Sequence, residues 1–371
     1  MKSAKSKVQQ FFSYADIKIN GNRPWDIQVH DERFYDKMLA DAQLGFGESY
    51  MNNWWDCAQL DECIFKIYRA QLEKKVRGKW RYLFPFLISK ITNMQDKMKS
   101  KRDVGSHYNI GNDLYQSMLD KRMVYTCGYW KNAKNLNEAQ EAKLDLVCKK
   151  IGLKSGMTVL DIGCGWGSFA KFAAEKYKVK VVGITISNEQ IRLARKLCKG
   201  LPIEIRFQDY RDVNEKFDRI VSLGMFEHVG PKNHRKFMEV AHRCLKDDGV
   251  FLLHTLGSNV SNTRSSPWSN KYIFPGAVTP SIKQIGKSME GLFVMEDWHN
   301  FGQDYAKTTM AWWSNFDKNY KNLKQKYNER FYKMWKFYLQ GGSGIMRARE
   351  GQLWQIVLTK EGIVGGYNPI S

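Results

Sequence analysis

The stretch "LDIGCGWGSFA", residues 160–170, decides the fold. A short apolar run, "TVLDI" (158–162), leads into it, and "SFAKFAAEKY" (168–177), with apolar residues at helical spacing, leads out. Glycines stand at 163, 165 and 167 between the two. A strand that turns through glycines into a helix is where open α/β sheets bind ligands, because the backbone can approach a ligand with no side chain in the way. The spacing is G-x-G-x-G rather than the G-x-G-x-x-G of dinucleotide sites. No Lys-Ser/Thr pair follows, so it is not a P-loop.

The alternation continues on the C-terminal side. "VKVVGI" (179–184), "IEIRF" (203–207), "RIVSLG" (219–224) and "GVFLLHTL" (249–256) read as strands, with "NEQIRLARKLC" (188–198) and "HRKFMEVAHRCL" (234–245) as helices between them. Strands alternating with helices of this length predict a parallel sheet with helices on both faces. Further on come a helix ("SIKQIGKSM", 281–289), a strand ("LFVMEDW", 292–298), a long aromatic helical region (305–340) and a last strand ("LWQIVLT", 353–359), the two strands finishing the sheet's edge. On the N-terminal side, "DERFYDKMLADAQLGFGESYMNNWW" (31–55) reads as a helix capped near Asp31, a glycine-rich turn, and a second helix carrying two tryptophans. The expected division is a domain over 1–89, a polar and basic linker over 90–106, and a catalytic domain over 107–371.

At 371 residues and 43% hydrophobic, the chain can bury a sizeable core. Its seven cysteines form no C-x-x-C or Cys/His spacing, so neither a disulfide framework nor a metal site is expected, and a reducing cytosol fits. The basic start lacks the apolar core of a signal peptide, and nowhere do 18 apolar residues run together. The net charge of +21 implies a polyanionic partner, either nucleic acid or an anionic membrane surface. Residues 64–102 hold 12 Lys/Arg against Glu73 and Asp96, interleaved with Trp80, Tyr82, Phe84, Phe86 and Ile88. That mixture suits either headgroup docking with rings dipping below or a solvated basic helix packed on its own domain. No aromatic RNA-binding signature or zinc-finger spacing accompanies it, and a nucleic-acid partner is not expected.

"GMFEHVG" (224–230) places Glu227 and His228 where an apolar run ends. Such a pair either caps a strand as a polar loop or does chemistry at the mouth of the sheet. Alternate residues of an extended segment face opposite ways, so only one of the two is expected in a site, and His228 is assigned to structure.

The pattern D-x-G-x-G-x-G from Asp161 resembles the S-adenosylmethionine loop of class I methyltransferases. That resemblance implies a Rossmann-like sheet of seven strands, mostly parallel with an antiparallel edge strand, beside a smaller and mainly helical N-terminal domain. Gly163, Gly165 and Gly167 would then approach the methionine part of the co-substrate. Such enzymes usually carry an acid at the end of the second strand for the ribose. Here Thr185 stands there, with Gln190 as a further partner, and Asp209 and Tyr210 are placed for the adenine.

A narrower resemblance rests on "YTCGYW", "LDIGCGWG", "VVGITIS", "GMFEHVGPKN", "LLHTLGS", "NKYIFPG" and "MEDWHNFGQDY", which occur in order along nearly the whole chain. Together they resemble the cyclopropane-fatty-acyl-phospholipid synthases, which move the methyl of S-adenosylmethionine onto the cis double bond of an acyl chain and close a ring by losing one proton. The chemistry needs a sulfonium donor with water excluded, and rings whose π faces steady a carbocation by about 0.5–2 kcal/mol each. It also needs a base that does not trap that cation. The resemblance implies bound bicarbonate as the base, held by Cys127, Glu227, His254, Leu256 and Tyr305. His254 and Tyr305 can donate hydrogen bonds, Cys127 and Leu256 act through backbone groups, and Glu227 orients the anion. The cofactor set implied adds Tyr125, Thr126, Ile186 and Ser187 to the residues already named. Trp130, Phe226, Tyr272, Phe274, Trp298 and Phe301 are candidates for an acyl channel, each with plain core packing as its alternative.

The same resemblance implies a homodimer, cytoplasmic and peripherally attached to the inner face of the cell membrane, with an unsaturated acyl chain drawn from anionic lipid. Three other readings keep part of this frame. One is a methyltransferase acting on acyl chains without ring closure or on small amines, one an RNA methyltransferase, and one a non-catalytic membrane-binding protein with a relic cofactor fold.

Overall fold

The computed structural model describes residues 3–72 and 111–371. The expected linker over 90–106 and the basic, aromatic stretch beyond Leu72 lie outside the described residues. Within them the chain forms two compact units, one of residues 3–72, 266–273 and 305–351, the other of residues 111–265, 274–304 and 352–371.

The first unit is mainly helical: α1 (Ala4–Ser13), a two-strand ribbon of β1 (Gln28–Val29) and β2 (Trp55–Asp56), α2 (Arg33–Met51), α3 (Leu60–Arg69), α9 (Pro267–Tyr272), most of α11 (Gln303–Asn319), and α12 (Glu329–Arg347). Phe12, Phe34, Phe46, Tyr50 and Trp55 build its core, with Phe337 and Ile345 of α12 packed against it. That packing draws residues 305–351 to this unit, although they follow the sheet in sequence. Gly344 makes the approach possible, since a Cβ there would lie 2.5 Å from the Asp61 carbonyl oxygen. Arg347 then bridges to Asp61 (2.9 Å) and Glu62 (2.5 Å).

One local expectation is corrected here. The glycines of "LGFGESY" do not make a turn; they lie inside α2, whose break falls at Ala42 (φ 45°, ψ −116°). They serve close packing instead, because a Cβ on Gly45 would stand 2.3 Å from the Lys37 carbonyl oxygen and one on Gly47 2.3 Å from Cδ1 of Trp268. Trp54 and Trp55 lie beyond the helix end, with Trp55 stacked on Phe46 at 4.3 Å. The aromatic helical region over 305–340 is formed by two helices, the second capped by Asn328, whose side chain accepts from the Phe331 N–H at 2.9 Å.

The second unit holds α4 (Asn112–Met118), α5 (Leu136–Lys150), β3 (Thr158–Ile162), α6 (Ser168–Tyr177), β4 (Lys180–Thr185), α7 (Asn188–Leu197), β5 (Ile203–Phe207), β6 (Phe217–Leu223), α8 (His234–Cys244), β7 (Leu245–Ser258), α10 (Ile282–Met289), β8 (Val294–Asn300) and β9 (Gly351–Thr359). Among the described residues its sheet has seven strands in the order β5-β4-β3-β6-β7-β9-β8. β3, β4, β5, β6 and β7 pair in parallel, and the edge strand β8 is antiparallel to β9.

The strand sequences explain the two covered faces. Neighbouring residues of a strand point to opposite sides, so a sheet buried on both faces needs unbroken apolar runs. Leu160, Ile220, Phe251, Leu253 and Ile356 face α8 and α10, packing on Phe237, Met238 and Ile285. Val159, Val221, Leu252 and Val357 face α5 and α6, packing on Leu144, Val147, Phe169 and Phe172. The chain leaves β3 toward β4 on one side and returns to β6 on the other. A crevice opens at the carboxyl ends of such a pair. Among the described residues no helix is long and apolar enough to cross a membrane.

Candidate active site

The glycine loop from β3 to α6 holds Gly163 (φ +84°), Gly165 (φ +56°) and Gly167 (φ +81°), all left-handed. The three do different work. A Cβ on Gly163 would lie 2.7 Å from the Met225 side chain, while one on Gly165 would meet nothing within 4 Å. Both line an open cavity of about 1130 Å³, its mouth included, at the ends of β3, β4 and β6. Gly167 is not part of that lining; it caps α6, and a Cβ there would lie 2.7 Å from the Cys198 sulfur.

Thr185, Ile186 and Gln190 line the cavity from β4 and α7. The Thr185 hydroxyl donates to Gln190 Oε1 at 2.8 Å and accepts from the Ser187 N–H at 3.2 Å. Ser187 is outside the lining and caps α7, accepting from the Gln190 N–H. Asp209 and Tyr210 line the cavity after β5. The Asp209 carboxylate is gripped by Nε and a terminal nitrogen of Arg211, each at 2.8 Å, and Tyr210 packs on Phe237 at 5.2 Å. Tyr125 and Thr126 also line the cavity, with Tyr125 edge-on to Tyr115.

Asp161, at the end of β3, is 1% exposed, and its Oδ2 has no hydrogen-bond partner among the described residues. Burial pushes its carboxyl up to about 7 against the pull of Lys143. An unpartnered buried acceptor in a cavity with a glycine floor fits a ligand that carries a cationic group.

Phe226, Glu227 and His228 form a single 3-10 turn after β6, so Glu227 and His228 diverge. His228, assigned to structure on sequence grounds, is the one that lines the cavity, and burial pulls its imidazole down to about 4. Glu227 faces elsewhere. Its Oε1 accepts from the Leu256 N–H at 2.5 Å, and Oε2 is buried without a hydrogen-bond partner among the described residues. Burial pushes its carboxyl up, opposed by the Leu256 hydrogen bond.

β7 runs beside β6 with His254 opposite Leu223, and the His254 carbonyl accepts from the Gly224 N–H at 2.9 Å. The Gln355 amide nitrogen lies 3.4 Å from His254 Nδ1; with that nitrogen donating, the imidazole proton sits on Nε2, which is buried and has no partner among the described residues. Burial, with Lys143 and Lys150 adding to it, holds His254 well below the ordinary histidine range, hence neutral. Cys127 is fully buried, its thiol 3.1 Å from the Gly128 carbonyl, and Thr126 beside it fills the space a Cβ on Gly224 would need. The second unit thus brings together Glu227, His254 and Leu256 at adjoining strand ends. Tyr305 belongs to the first unit, on α11, where its ring lies edge-on to Trp312 at 5.9 Å.

Of the channel candidates, Phe226 is core, stacked on His234 at 4.3 Å, and Tyr272 of the first unit donates to Glu48 at 2.8 Å. Trp298 lies edge-on to Trp354 and Phe274 to His228. Phe301 lies 6.0 Å from the His254 ring, and the Trp130 N–H donates to Asp304 at 2.7 Å.

Sequence reading missed Gln140 and Lys143. Lys143 is fully buried on α5, lines the cavity and donates to Thr126 Oγ1 at 2.8 Å, while Gln140 Nε2 donates to the Thr126 carbonyl at 2.7 Å. The available signal was their spacing: 140 and 143 fall on the stripe of Leu136 and Val147, the apolar face of the helix. Among the described residues no group of three or more His, Cys, Asp or Glu is placed to hold a metal ion.

A sheet of this order, with a cavity at the glycine loop of its first central strand, is the Rossmann-like fold of the class I methyltransferases. Residues 95–356 match the family model described as mycolic acid cyclopropane synthetase, and the chain belongs to that family. It is 48% identical over 353 residues to the cyclopropane-fatty-acyl-phospholipid synthase of Escherichia coli (strain K12), covering 95% of this chain and 92% of that protein. A solved cyclopropane synthase of Mycobacterium tuberculosis superposes with a TM-score of 0.66 at 30% identity, over 72% of this chain and 100% of that one. A mycolic acid cyclopropane synthase solved with SAH and CTAB gives a TM-score of 0.65 at 32% identity, over 70% of this chain and 98% of that one.

Proposed function

We propose that this protein transfers a methylene unit from S-adenosylmethionine to the cis double bond of an unsaturated acyl chain in a membrane phospholipid, closing a cyclopropane ring. The observation that carries the reading is a pair of buried polar atoms with no hydrogen-bond partner among the described residues, Glu227 Oε2 and His254 Nε2, at adjoining strands β6 and β7. Methylation of an amine needs no such pair, because an amine sheds its own proton to water. Closing a ring requires that a proton leave the transferred methyl inside a site kept dry. The near full-length likeness to the Escherichia coli synthase supports the same choice.

S-adenosylmethionine supplies an electrophilic methyl on a sulfonium. The cavity residues Tyr125, Thr126, Asp161, Gly163, Gly165, Thr185, Ile186, Gln190, Asp209 and Tyr210 would hold it, with Gly167 and Ser187 shaping the helix starts behind them. Bicarbonate fits the second set and would supply the base. His254 Nε2 offers a hydrogen-bond donor that carries no charge, so it does not compete with the anion for its proton. Glu227 is held by Leu256 through one oxygen and offers the other to a hydroxyl. Cys127 contributes its backbone, its thiol being a small buried apolar group. Tyr305 remains in the proposed set on sequence resemblance alone.

The proposal extends to setting. Residues 1–89 form the lipid-interaction domain, and the basic stretch 64–102 docks on anionic lipid at the inner face of the cell membrane, each basic residue adding about 1 kcal/mol near such a surface. The protein works in the cytoplasm as a peripheral homodimer. Vesicle binding that ignores salt and lipid charge would contradict the docking role.

The test of function is incubation with carbon-labelled S-adenosylmethionine and vesicles of unsaturated anionic phospholipid. Label appearing in acyl chains that have gained one CH2 and lost their double bond is expected. Label in a methyl branch, a small amine or RNA would replace the reading with one of its rivals.

A further inference from the structure

Three polar side chains stand in a row on one face of the sheet. His254 is on β7, Gln355 on the neighbouring β9, and His299 on the edge strand β8, directly opposite Gln355 in the register. Directly opposite residues of an antiparallel pair share a face. Leu252 and Val357, each two residues along its strand, mark that face as the one packed on α5 and α6. Gln355 is 0% exposed, His254 1%, and His299 is half-buried. Each carries a buried polar atom with no hydrogen-bond partner among the described residues: His254 Nε2, Gln355 Oε1 and His299 Nδ1. Such atoms are costly in an apolar core, so packing alone gives no reason for the row.

Within the row, the Gln355 amide nitrogen lies 3.4 Å from His254 Nδ1. An amide can offer an imidazole a donor or an acceptor, and each choice fixes a different tautomer. A donating nitrogen leaves Nδ1 as the acceptor and puts the ring proton on Nε2; an accepting oxygen does the reverse. We propose that Gln355 is a positioning residue for ring closure, whose amide keeps the His254 proton on Nε2 and so keeps that atom a donor to the anion. The inference rests on the reading of Glu227 and His254 as the anion site and names a residue that acts through His254.

The choice of an amide is specific. A carboxylate at 355 would favour an imidazolium, and a charged His254 would compete with the anion for the proton that the anion must take. Glutamine orders the ring without adding charge. The charges around the ring act in the same sense: Lys143 and Lys150 of α5 add to burial in keeping His254 neutral, and Lys150 is held by Asp297 of β8 at 2.8 Å. Neutrality and the seat of the proton thus have separate controls. The sense of the amide is set from its other end. Gln355 Oε1 needs a donor, His299 Nδ1 is the buried polar atom of the residue opposite, and one bridging water would satisfy both. The Phe301 ring lies beside both imidazoles, 5.0 Å from His299 and 6.0 Å from His254.

Nitrogen NMR of protein labelled in its histidine rings reads the tautomer directly, the His254 signals being identified by their loss in His254→Asn. Wild type should show a protonated Nε2 and a bare Nδ1. Gln355→Met, of similar size but without the amide, should lose that order, and Gln355→Glu should protonate Nδ1. Ring formation should fall by about tenfold to a hundredfold in both, the usual cost of losing a partner that orients a functional histidine. Affinity for S-adenosylhomocysteine, measured by calorimetry, should stay within about twofold. If Gln355→Glu does not fold, Gln355→Met carries the test, and His299→Phe, which leaves the amide free to turn, should give a smaller loss of the same kind. A wild-type His254 protonated on Nδ1, or a Gln355→Met enzyme with tautomer and rate unchanged, would overturn the role. So would a loss of S-adenosylhomocysteine affinity that matches the loss of rate, since that marks a structural effect. Wild type that forms no ring product would overturn the reading of function instead, and the NMR signal would still decide whether Gln355 orders the ring.

Discussion

Glu227 is tied to Leu256 by one oxygen: Oε1 accepts the Leu256 backbone N–H at 2.5 Å, and Oε2 is buried with no hydrogen-bond partner among the described residues. The bonded oxygen fixes the carboxyl across the ends of β6 and β7, and the free one is left for chemistry. Glu227→Gln keeps the Leu256 hydrogen bond through its amide oxygen while removing the second acceptor. Its unfolding midpoint should match wild type, and ring formation should fall by about 10²–10⁴-fold. Steady-state assay of labelled lipid, beside a denaturation curve, checks both halves.

The loop glycines separate binding from folding. Gly165→Ala places a methyl in the cavity and costs about 1–2 kcal/mol for a left-handed alanine. Gly167→Ala carries the same strain and also strikes the Cys198 sulfur, which adds about 1–3 kcal/mol of overpacking. Gly165→Ala should therefore lose S-adenosylhomocysteine affinity more than stability, and Gly167→Ala the reverse. Cys198→Ala should recover part of the second loss.

His234 makes the fold sensitive to acid. It is 2% exposed, has neither ring nitrogen paired among the described residues, and is held neutral by burial, which lowers its pKa to about 4. The unfolded chain takes up this proton near pH 6.5, so the contribution is complete above that value and lost as pH falls through 4. The full swing is about 3 kcal/mol. His234→Phe, which preserves the stack on Phe226, should flatten the loss of stability between pH 6.5 and pH 4. The other buried histidines leave some slope in place. Urea unfolding at a series of pH values measures the difference.

In the first unit, Gly344 lets α12 lie against α3. Gly344→Ala would set a methyl 2.5 Å from the Asp61 carbonyl oxygen and 2.8 Å from the Phe65 nitrogen. Backbone cannot step aside as a side chain can, so a loss of about 1–3 kcal/mol is expected in denaturant titration. The Asp61 and Glu62 bridges to Arg347 should weaken with it.

The sheet was legible because its signals are local. "TVLDI", "SFAKFAAEKY" and "IEIRF" coincide with β3, α6 and β5 to the residue, since apolar period and glycine punctuation act within a few positions. What failed was whatever depends on a distant neighbour. Gly45 and Gly47 look like a turn in sequence, but a carbonyl of their own helix and the Trp268 ring decide their role. Gly163, Gly165 and Gly167 read as one motif, yet the third answers to Cys198 on α7. Lys143 carries no signature of its own; as a polar residue in a soluble helix it reads as solvated until Leu136 and Val147 are seen to share its face. Alternation does not hold at His228, because the chain there makes a 3-10 turn rather than an extended segment, and that turn sets its ring in the cavity lining.

The central claim is that the transferred methyl loses one proton and closes a ring. Co-substrate with a fully deuterated methyl, given with vesicles of unsaturated phospholipid, measures that loss directly by mass spectrometry of the acyl chains. The account predicts a saturated ring that keeps two deuterons, with the third released to solvent. An acyl product that keeps all three would mean that the methyl is never deprotonated, and would contradict it.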